Sequence, residues 1–322
     1  MNNPEDMPLD ADELVAWLKA HKETSGFSWA ALAKETDIPH GTLSTLLTGK
    51  YTGNLGNQAV RIFRYRQKVE SQQERRKSAL SAPAYVVTPT SRRIQFLLEV
   101  AQMGRITVAA TGPGTSKTTT AQHYAASVAN VWVATMRQTH KSSSAMIAQV
   151  MRAMRLTSSS GWVQQRSDQV AEFVRDRGGL LVIDEANHLT LESLEEIRGW
   201  HDATKVGVAL LGNEELLMRI RGGQKRHAYA RLNSRIAQCH IQDMPTEGDA
   251  AAYLDAMDID EPAIRRQLTD VALSPGHGGL REIQQILESA NMLSIADDQA
   301  LTLQHVQEAM RTRTTQHLRR AA

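Results

Sequence analysis

The sequence predicts an α/β protein in which a parallel sheet is preceded by a helical domain and followed by an all-helical domain. Three observations lead to this prediction. Short apolar segments alternate with amphipathic segments between residues 91 and 245, and the residues before 66 and after 245 show helical periodicity alone. Near-continuous apolar strands that alternate with helices are typical of a parallel sheet covered on both faces. The predicted strands span 105–111, 131–136, 179–185, 206–212 and 236–242.

The same pattern predicts the domain boundaries. We predict a helical domain over 1–66, a linker over 67–90, the α/β core over 91–245 and a helical carboxyl-terminal domain over 246–322. Residues 67–90 lose apolar periodicity and gain charge, serine and proline, as expected of a helix that fades into a linker.

Composition restricts the class of protein. The chain has 322 residues, of which 41% are hydrophobic and 22% charged, as in a soluble globular protein of two or three domains. Its net charge of +2 means that attraction to nucleic acid must come from local basic patches. The single cysteine, Cys239, excludes an intrachain disulfide. The amino terminus is polar and no apolar run is long enough to span a bilayer, so we expect a cytoplasmic protein without membrane association.

Residues 27–51 have the pattern of a helix-turn-helix. A helix capped by Ser28 is interrupted at Asp37 and Pro39, and a second helix begins near Gly41. This segment resembles the helix-turn-helix domains of phage repressors. The core positions of the pattern are Ile38, Leu43 and Leu46.

That resemblance predicts which side chains face a DNA major groove or its phosphates, namely Thr42, Ser44, Thr45 and Lys50. The alternative is that the short helices form a packing module without DNA contact. Asp37 stands where a turn glycine is usual, but aspartate tolerates the left-handed conformation.

A phosphate-binding loop is indicated by the segment TGPGTSKT, which follows a predicted strand and enters a helix. The usual pattern is G-x-x-x-x-G-K-[ST], and here Thr111 and Ser116 occupy the places of both framing glycines. Lys117 is expected to reach the β and γ phosphates, and the Thr118 hydroxyl to ligate Mg²⁺. The predicted nucleotide-binding residues of the loop are Gly112, Pro113, Gly114, Thr115, Ser116, Lys117, Thr118 and Thr119.

Two carboxylates end the apolar segment LLVIDE, at the edge where ligands bind in open α/β sheets. Asp184 is expected to hold Mg²⁺ together with Thr118 and to contribute to nucleotide binding. Glu185 is expected to orient or deprotonate the attacking water. The alternative is an acidic helix cap after a strand. We therefore predict an ATP and Mg²⁺ site.

Four further side chains fit the same site. Asn213 follows a predicted strand at the place called sensor 1 in AAA+ ATPases, and it is also a candidate N-cap of the next helix. The Ser234-Arg235 pair resembles an arginine-finger segment, which acts in trans and implies an oligomer; Arg231 is the alternative finger. Arg281 resembles the sensor 2 arginine, which reaches the nucleotide from a helical lid.

The order of these motifs resembles the family of B-type transposition proteins of Mu-like bacteriophages, over nearly the whole chain. The segments that carry the resemblance include GTLSTLLTGKYTGN, PGTSKT, GLLVIDEANHL, VGVALLGN and ARLNSRIA. The family pattern has intact loop glycines and an aspartate at the place of Asn187, so the hydrolysis rate is left open at Thr111, Ser116 and Asn187.

The resemblance implies an AAA+ ATPase with a P-loop core that assembles with ATP, as a helical filament or ring-like oligomer, on double-stranded DNA with little sequence preference. It implies delivery of that DNA to a DDE transposase, with hydrolysis driving release, inside a bacterial host. Arg137 and Lys141 are candidates for the DNA-facing surface of the core, and the basic tail over 311–320 is a further candidate.

Three other functions remain open from the sequence. One is an ATP-switched transcriptional regulator whose helix-turn-helix recognises an operator. Another is a helicase-loader-like ATPase that prefers single-stranded DNA. The last is a nucleotide switch that binds ATP and scarcely hydrolyses it.

Overall fold

The computed structural model describes residues 9–78, 83–157, 161–221, 227–276 and 278–313. It contains two compact units, Met1–Ala79 and Leu80–Ala322. Each unit has its own hydrophobic core.

The first unit is helical. Its helices are α1 Ala11–Ser25, α2 Trp29–Thr36, α3 His40–Leu47 and α4 Leu55–Ser78. Asp10 and Ser28 cap α1 and α2 by accepting backbone N–H groups of the first turn. α4 continues to Ser78, through the first half of the segment for which the sequence predicts a linker.

The turn between α2 and α3 has the geometry of a helix-turn-helix. Asp37 ends α2 with a φ of 56°, in the left-handed conformation that aspartate tolerates. The Ile38 N–H donates to the Ala33 carbonyl at 3.2 Å, and its side chain is buried. Leu43 and Leu46 are buried as well, so the predicted core of this motif is confirmed.

The second unit is built around a five-stranded parallel sheet in the described part of the chain. The strands are β1 Ile106–Thr111, β2 Val131–Thr135, β3 Leu180–Asp184, β4 Gly207–Gly212 and β5 Ile236–Gln242, in the order β2-β3-β4-β1-β5. Every predicted strand is present, with bounds that agree to within one residue. Because all strands are parallel, their carboxyl ends lie at one edge of the sheet.

Helices cover both faces of the sheet. They are α5 Pro89–Gln102, α6 Lys117–Ser127, α7 Ser143–Ala153, α8 Val163–Val174, α9 Leu191–Thr204, α10 Glu214–Arg221 and α11 Ala230–Asn233. Side chains alternate between the faces: Val108 packs with the α7–α11 side, and Ala109 packs with α5 and α6. This burial on both sides explains why β1, β3 and β4 are apolar almost throughout.

The carboxyl-terminal helices form a separate hydrophobic cluster in the same unit. They are α12 Glu247–Ala256, α13 Pro262–Ala272, α14 Leu280–Ala296 and α15 Leu303–Arg311. The domain boundaries at 66, 90 and 245 remain predictions. Within the described residues, no helix has both the length and the apolar character needed to cross a membrane.

A buried carboxylate joins these helices to the sheet. Asp249 on α12 is fully buried and accepts hydrogen bonds from the backbone N–H and the hydroxyl of both Thr90 and Thr246, at 2.5–2.8 Å. Thr90 lies in the first turn of α5, and its hydroxyl also accepts from Gln242 at the end of β5. The core and the carboxyl-terminal helices therefore share one polar network.

This network gives a stability prediction. Asp249→Asn places an amide NH₂ where backbone N–H groups now donate, and we expect a loss of about 2–4 kcal/mol in the free energy of unfolding. Asp255→Asn on the same helix is the control, because the Asp255–Arg265 pair is exposed on the aspartate side and such pairs contribute little. Chemical denaturation measures both, and equal stability of the two variants would contradict the prediction.

We also predict that the stability of wild type and that of Asp249→Asn depend differently on pH. Burial by itself raises the pKa of Asp249, but the hydrogen bonds from Thr90 and Thr246 outweigh it and hold the pKa below its ordinary value. The stabilisation is therefore present above the unfolded pKa of about 3.9 and is lost as pH falls through the lower folded pKa. Wild type should lose this part of its stability on acidification, and Asp249→Asn should not.

Candidate nucleotide-binding site

The loop over 112–116 joins β1 to α6 at the carboxyl edge of the sheet. Gly114 and Ser116 have left-handed backbone, with φ of 67° and 64°. Ser116 is the residue before α6, and a non-glycine residue in this conformation stores strain. This explains physically why glycine is the usual residue at that position of the phosphate-loop pattern.

The two remaining glycines are required by close packing. A Cβ at Gly112 would lie 1.7 Å from the carbonyl oxygen of Asp243, after β5. A Cβ at Gly114 would lie 1.9 Å from the carbonyl oxygen of Gly278, just before α14. The loop is therefore wedged between the end of β5 and the start of α14.

Thr111 takes part in the loop instead of a glycine. It is the last residue of β1, it is buried, and its hydroxyl lies 2.6 Å from the Thr115 hydroxyl. The Thr115 hydroxyl donates to the Gly112 carbonyl at 2.8 Å. These bonds satisfy both hydroxyls inside the loop, so threonine is compatible with the loop conformation.

Lys117 is the first residue of α6, and its side chain is hydrogen-bonded to the start of the loop. Its Nζ donates to the carbonyl oxygens of Thr111 at 2.6 Å and Gly112 at 2.8 Å. Burial lowers the pKa of the ammonium, while the carboxylates of Glu185 and Asp184 act in the opposite direction. A half-buried cation beside a helix amino terminus is a suitable partner for phosphate.

Asp184 ends β3 and is buried. Its Oδ2 accepts the Thr118 hydroxyl at 2.9 Å, and its Oδ1 is buried without a hydrogen-bond partner in the described structure. Burial raises the pKa of this carboxyl, and the hydrogen bond from Thr118 acts against that rise. An unsatisfied carboxylate oxygen next to a hydroxyl is the kind of oxygen donor set that Mg²⁺ takes, so the residues fit this ion.

Glu185 follows with a φ of 54°, again left-handed, and it lines the cleft above the loop. A strained backbone at the end of a buried strand is a common feature of functional sites. The side chain of Glu185 is half-buried, and its negative charge acts to raise the pKa of Lys117.

A cleft of about 440 Å³ brings most of the predicted residues together. The predicted residues that line it are Pro113, Gly114, Thr115, Ser116, Lys117, Thr118, Thr119, Glu185 and Arg281. Arg281 comes from the first turn of α14. Gly112 and Asp184 lie behind this lining, in contact with it through Lys117 and Thr118.

The remaining residues that line the cleft were missed by sequence reasoning. They are residues 83–86, Tyr253, Leu280 and Gln284. The Tyr85 ring stacks on His123 with centroids 4.1 Å apart, and the Tyr85 hydroxyl is buried without a partner in the described structure. Burial raises the pKa of Tyr253 to about 12. No local motif marks these residues, and 83–86 fall where the sequence predicts a linker.

Asn213 lies at the carboxyl end of β4 and is exposed. β4 runs between β3 and β1, so this position lies between Asp184 and the phosphate loop along the sheet edge. The Asn213 carbonyl accepts the Leu216 N–H at 3.2 Å at the start of α10. The placement agrees with a sensor 1 position and with the start of a helix.

The structure does not bring Arg235 to the cleft of its own chain. It lies before β5, at the amino edge of the sheet, and its Nε donates to Asp202 at 3.0 Å. Burial alone would raise the pKa of Asp202, but the hydrogen bond and charge of Arg235, with Arg198, lower it. Arg231 on α11 is exposed, and no ion pair of it is found among the described residues.

Two family profiles match the chain. The profile of the AAA domain matches residues 102–220, and that of the Mu B transposition protein, C terminal, matches residues 234–312. The Mu-like prophage FluMu DNA transposition protein B of Haemophilus influenzae is 31% identical over 284 residues, which cover 86% of this chain and 96% of that protein. The chain belongs to the Mu B family of transposition proteins.

Further likenesses agree with this family. The ATP-dependent target DNA activator B of Escherichia phage Mu is 26% identical over 308 residues, 94% of this chain and 96% of that protein. The solved structure of the ORC2 protein of Aeropyrum pernix has a TM-score of 0.52 at 14% identity, over 69% of this chain and 66% of that chain. The latter likeness shows the fold alone. The predicted Mu B resemblance and the α/β AAA+ core are confirmed.

The predicted DNA-binding residues of this Mu B family member occur in both units, and those of the second unit, Arg137 and Lys141, do not line the cleft. Arg137 and Lys141 are exposed after β2, on either side of the short 3₁₀ helix Gln138–His140. In the first unit, Thr45 and Lys50 are exposed, whereas Thr42 and Ser44 are half-buried. The Thr45 hydroxyl donates to the carbonyls of Gly41 and Thr42. Residues 314–320 of the basic tail lie outside the described residues.

The left-handed Ser116 gives a prediction for the Mu B phosphate loop. Ser116→Gly relieves about 1–2 kcal/mol of backbone strain in the folded state. Glycine also makes the unfolded chain more flexible, which costs about 0.5–1 kcal/mol. We therefore expect the free energy of unfolding to rise by about 0.5–1 kcal/mol. We also expect tighter ATP binding, because the backbone is then free to approach the phosphates. Chemical denaturation and nucleotide titration measure the two effects.

Lys205→Gly is the matched control. Lys205 caps α9 with a φ of 59° and lies at the other edge of the sheet, before β4. It should gain similar stability with unchanged ATP affinity. Weaker ATP binding by Ser116→Gly than by wild type would show that the serine side chain contributes to the site and would contradict the prediction.

Proposed function

We propose that this chain is an ATP-dependent target-DNA activator of a Mu-like transposition system. The observation that carries the proposal is a single cleft in which Lys117, Thr118 and Glu185 meet, with the buried Asp184 behind them, in a member of the Mu B family. The family membership and the AAA domain support ATPase activity. The relative from phage Mu is named as ATP-dependent and as acting on target DNA.

In this proposal the phosphates of ATP bind between the loop and α6. Lys117 exchanges its bonds to the carbonyls of Thr111 and Gly112 for the β and γ phosphates, which gives the half-buried ammonium anionic partners. The N–H groups at the start of α6 add further donors. Arg281 reaches the nucleotide from α14. The part of the cleft lined by Tyr85 and Tyr253 receives the base.

Asp184 and Thr118 are proposed to hold Mg²⁺, and the ion supplies charge neutralisation at the phosphates. The orphaned Oδ1 of Asp184 supports this assignment. Glu185 orients the attacking water and accepts its proton, and Asn213 at the neighbouring strand end holds that water or the γ phosphate.

We further propose that the Mu B-type chain assembles as an oligomer or filament on double-stranded DNA inside a bacterial host. An arginine of the α11 segment reaches the nucleotide of the next subunit. Arg231 is favoured, because it is exposed without an ion pair among the described residues, whereas Arg235 is held by Asp202. Arg137 and Lys141 contact phosphates, so DNA binding should weaken steeply with salt. Assembled subunits present the DNA to a DDE transposase.

The second candidate function is that of a transcriptional regulator, because the helix-turn-helix geometry of the first unit is also that of an operator-binding domain. Footprinting on a long duplex with ATP distinguishes the two. Continuous protection regardless of sequence supports the transposition function. Protection of one short site would favour a regulator, and electron microscopy of the same samples shows whether filaments form.

Glu185→Gln tests the catalytic proposal. The amide keeps the shape of the side chain but cannot accept a proton, so phosphate release in the presence of duplex DNA should fall by at least about 100-fold. ATP affinity should change little. Phosphate release and nucleotide titration measure these effects, with Glu172→Gln on the exposed face of α8 as control. A wild-type chain without DNA-stimulated turnover would refute the ATPase proposal.

A mixing experiment tests the arginine in trans. Arg231→Ala has an intact carboxylate site and lacks the finger, whereas Glu185→Gln has the finger and lacks the base. Each should be inactive alone, with a loss of about 10³-fold for Arg231→Ala, and an equal mixture should recover turnover. Arg235→Ala should lose far less. Full activity of Arg231→Ala would exclude Arg231 as the finger, and recovery only with Arg235→Ala would assign the finger to Arg235 instead.

A further inference from the structure

Arg219 on α10 makes three hydrogen bonds that belong to none of the motifs above. Its Nη1 donates to the Asn187 carbonyl at 2.9 Å, and its Nη2 donates to the Leu189 carbonyl at 2.6 Å. The same Nη2 lies 3.2 Å from the Tyr229 hydroxyl. The guanidinium is half-buried, and its rigid planar fork suits two carbonyls of one turn.

The turn that Arg219 holds is the continuation of the catalytic strand. The 3₁₀ helix Ala186–His188 follows Glu185 directly, and Leu189 ends it. Glu185 has a φ of 54°, a conformation that persists only where neighbouring structure fixes it. The carbonyls of this turn are fixed by Arg219, so the arginine helps to set the direction of the Glu185 side chain without touching the nucleotide.

Arg219 also contacts Tyr229, which lies next to the segment that bears the proposed arginine finger, Arg231. Tyr229 is buried and precedes α11, and its carbonyl accepts the Asn233 N–H at 2.8 Å. α11 carries Arg231. α10 itself begins directly after Asn213, at the strand end beside Asp184. One helix therefore connects a nucleotide-sensing position, the catalytic turn and the segment that bears the finger.

We propose that Arg219 is a positioning residue that couples the catalytic turn at 186–189 to α11. Nucleotide at one site shifts the turn that bears Glu185, and Arg219 transmits the shift through Tyr229 to the finger offered to the next subunit. This inference rests on the proposed ATPase function. It adds a physical link by which occupancy of one site sets the activity of the neighbouring site.

Hydrogen exchange of the full chain with a non-hydrolysable ATP analogue tests the link without needing hydrolysis. In wild type, the analogue should change amide exchange in both 186–189 and 230–233. In Arg219→Ala, the first segment should still respond and the second should not. Arg221→Ala is the matched control, because Arg221 is exposed on the same helix two residues later, and it should behave as wild type.

Kinetics give the second measurement. Arg219→Ala should keep its KM for ATP within about twofold and lose about 10–100-fold in DNA-stimulated kcat, and Arg219→Lys should recover only part, because an ammonium cannot serve both carbonyls. Glu185→Gln/Tyr229→Phe should complement Arg231→Ala less well than Glu185→Gln alone. A response of 230–233 in Arg219→Ala equal to that in wild type, or an unchanged kcat, overturns the coupling. A wild-type chain that fails to bind ATP refutes the proposed function instead.

Discussion

The geometry of the candidate site depends on the close packing of the phosphate-binding loop between the end of β5 and the start of α14. Gly112 lies against the carbonyl of Asp243 and Gly114 against that of Gly278, at approaches that no side chain would permit. The Leu280 N–H also donates to the Gly114 carbonyl at 3.2 Å. The loop is thereby fixed to the start of α14, so the helices after the sheet are part of the candidate nucleotide site.

Three consecutive residues at the start of α14 each make a different contact. Leu280 bonds to the loop, Arg281 lines the cleft, and Glu282 is buried in a bidentate pair with Arg313, at 2.6 Å and 2.9 Å. Removing one partner from such a buried pair is far more costly than the pair is stabilising. The proposed nucleotide contact of Arg281 is thus one residue away from the ion pair that anchors the segment after α15.

Much of the site was predictable because it is encoded locally. An apolar strand that ends in charged residues gave Asp184 and Glu185, and a strand-loop-helix sequence gave Lys117 and Thr118. The strands were predicted to within one residue because burial on both faces leaves continuous apolar runs. Tyr85 and Arg219 were not predictable, because their roles arise from contacts with residues distant in sequence or with backbone carbonyls, which no side-chain pattern marks.

The phosphate-binding loop departs from the usual glycine pattern at Thr111 and Ser116. The fold accommodates Thr111, whereas Ser116 stores backbone strain. Thr111 satisfies its hydroxyl through Thr115, so it is compatible with the fold. Ser116 stays left-handed at φ 64°, next to Lys117, and Glu185, which lines the same cleft, stays left-handed at φ 54°. Strain at both positions is maintained by the surrounding packing. That packing includes the start of α14 against Gly114 and the turn after Glu185 that Arg219 holds, so these contacts fix the backbone on both sides of the candidate site.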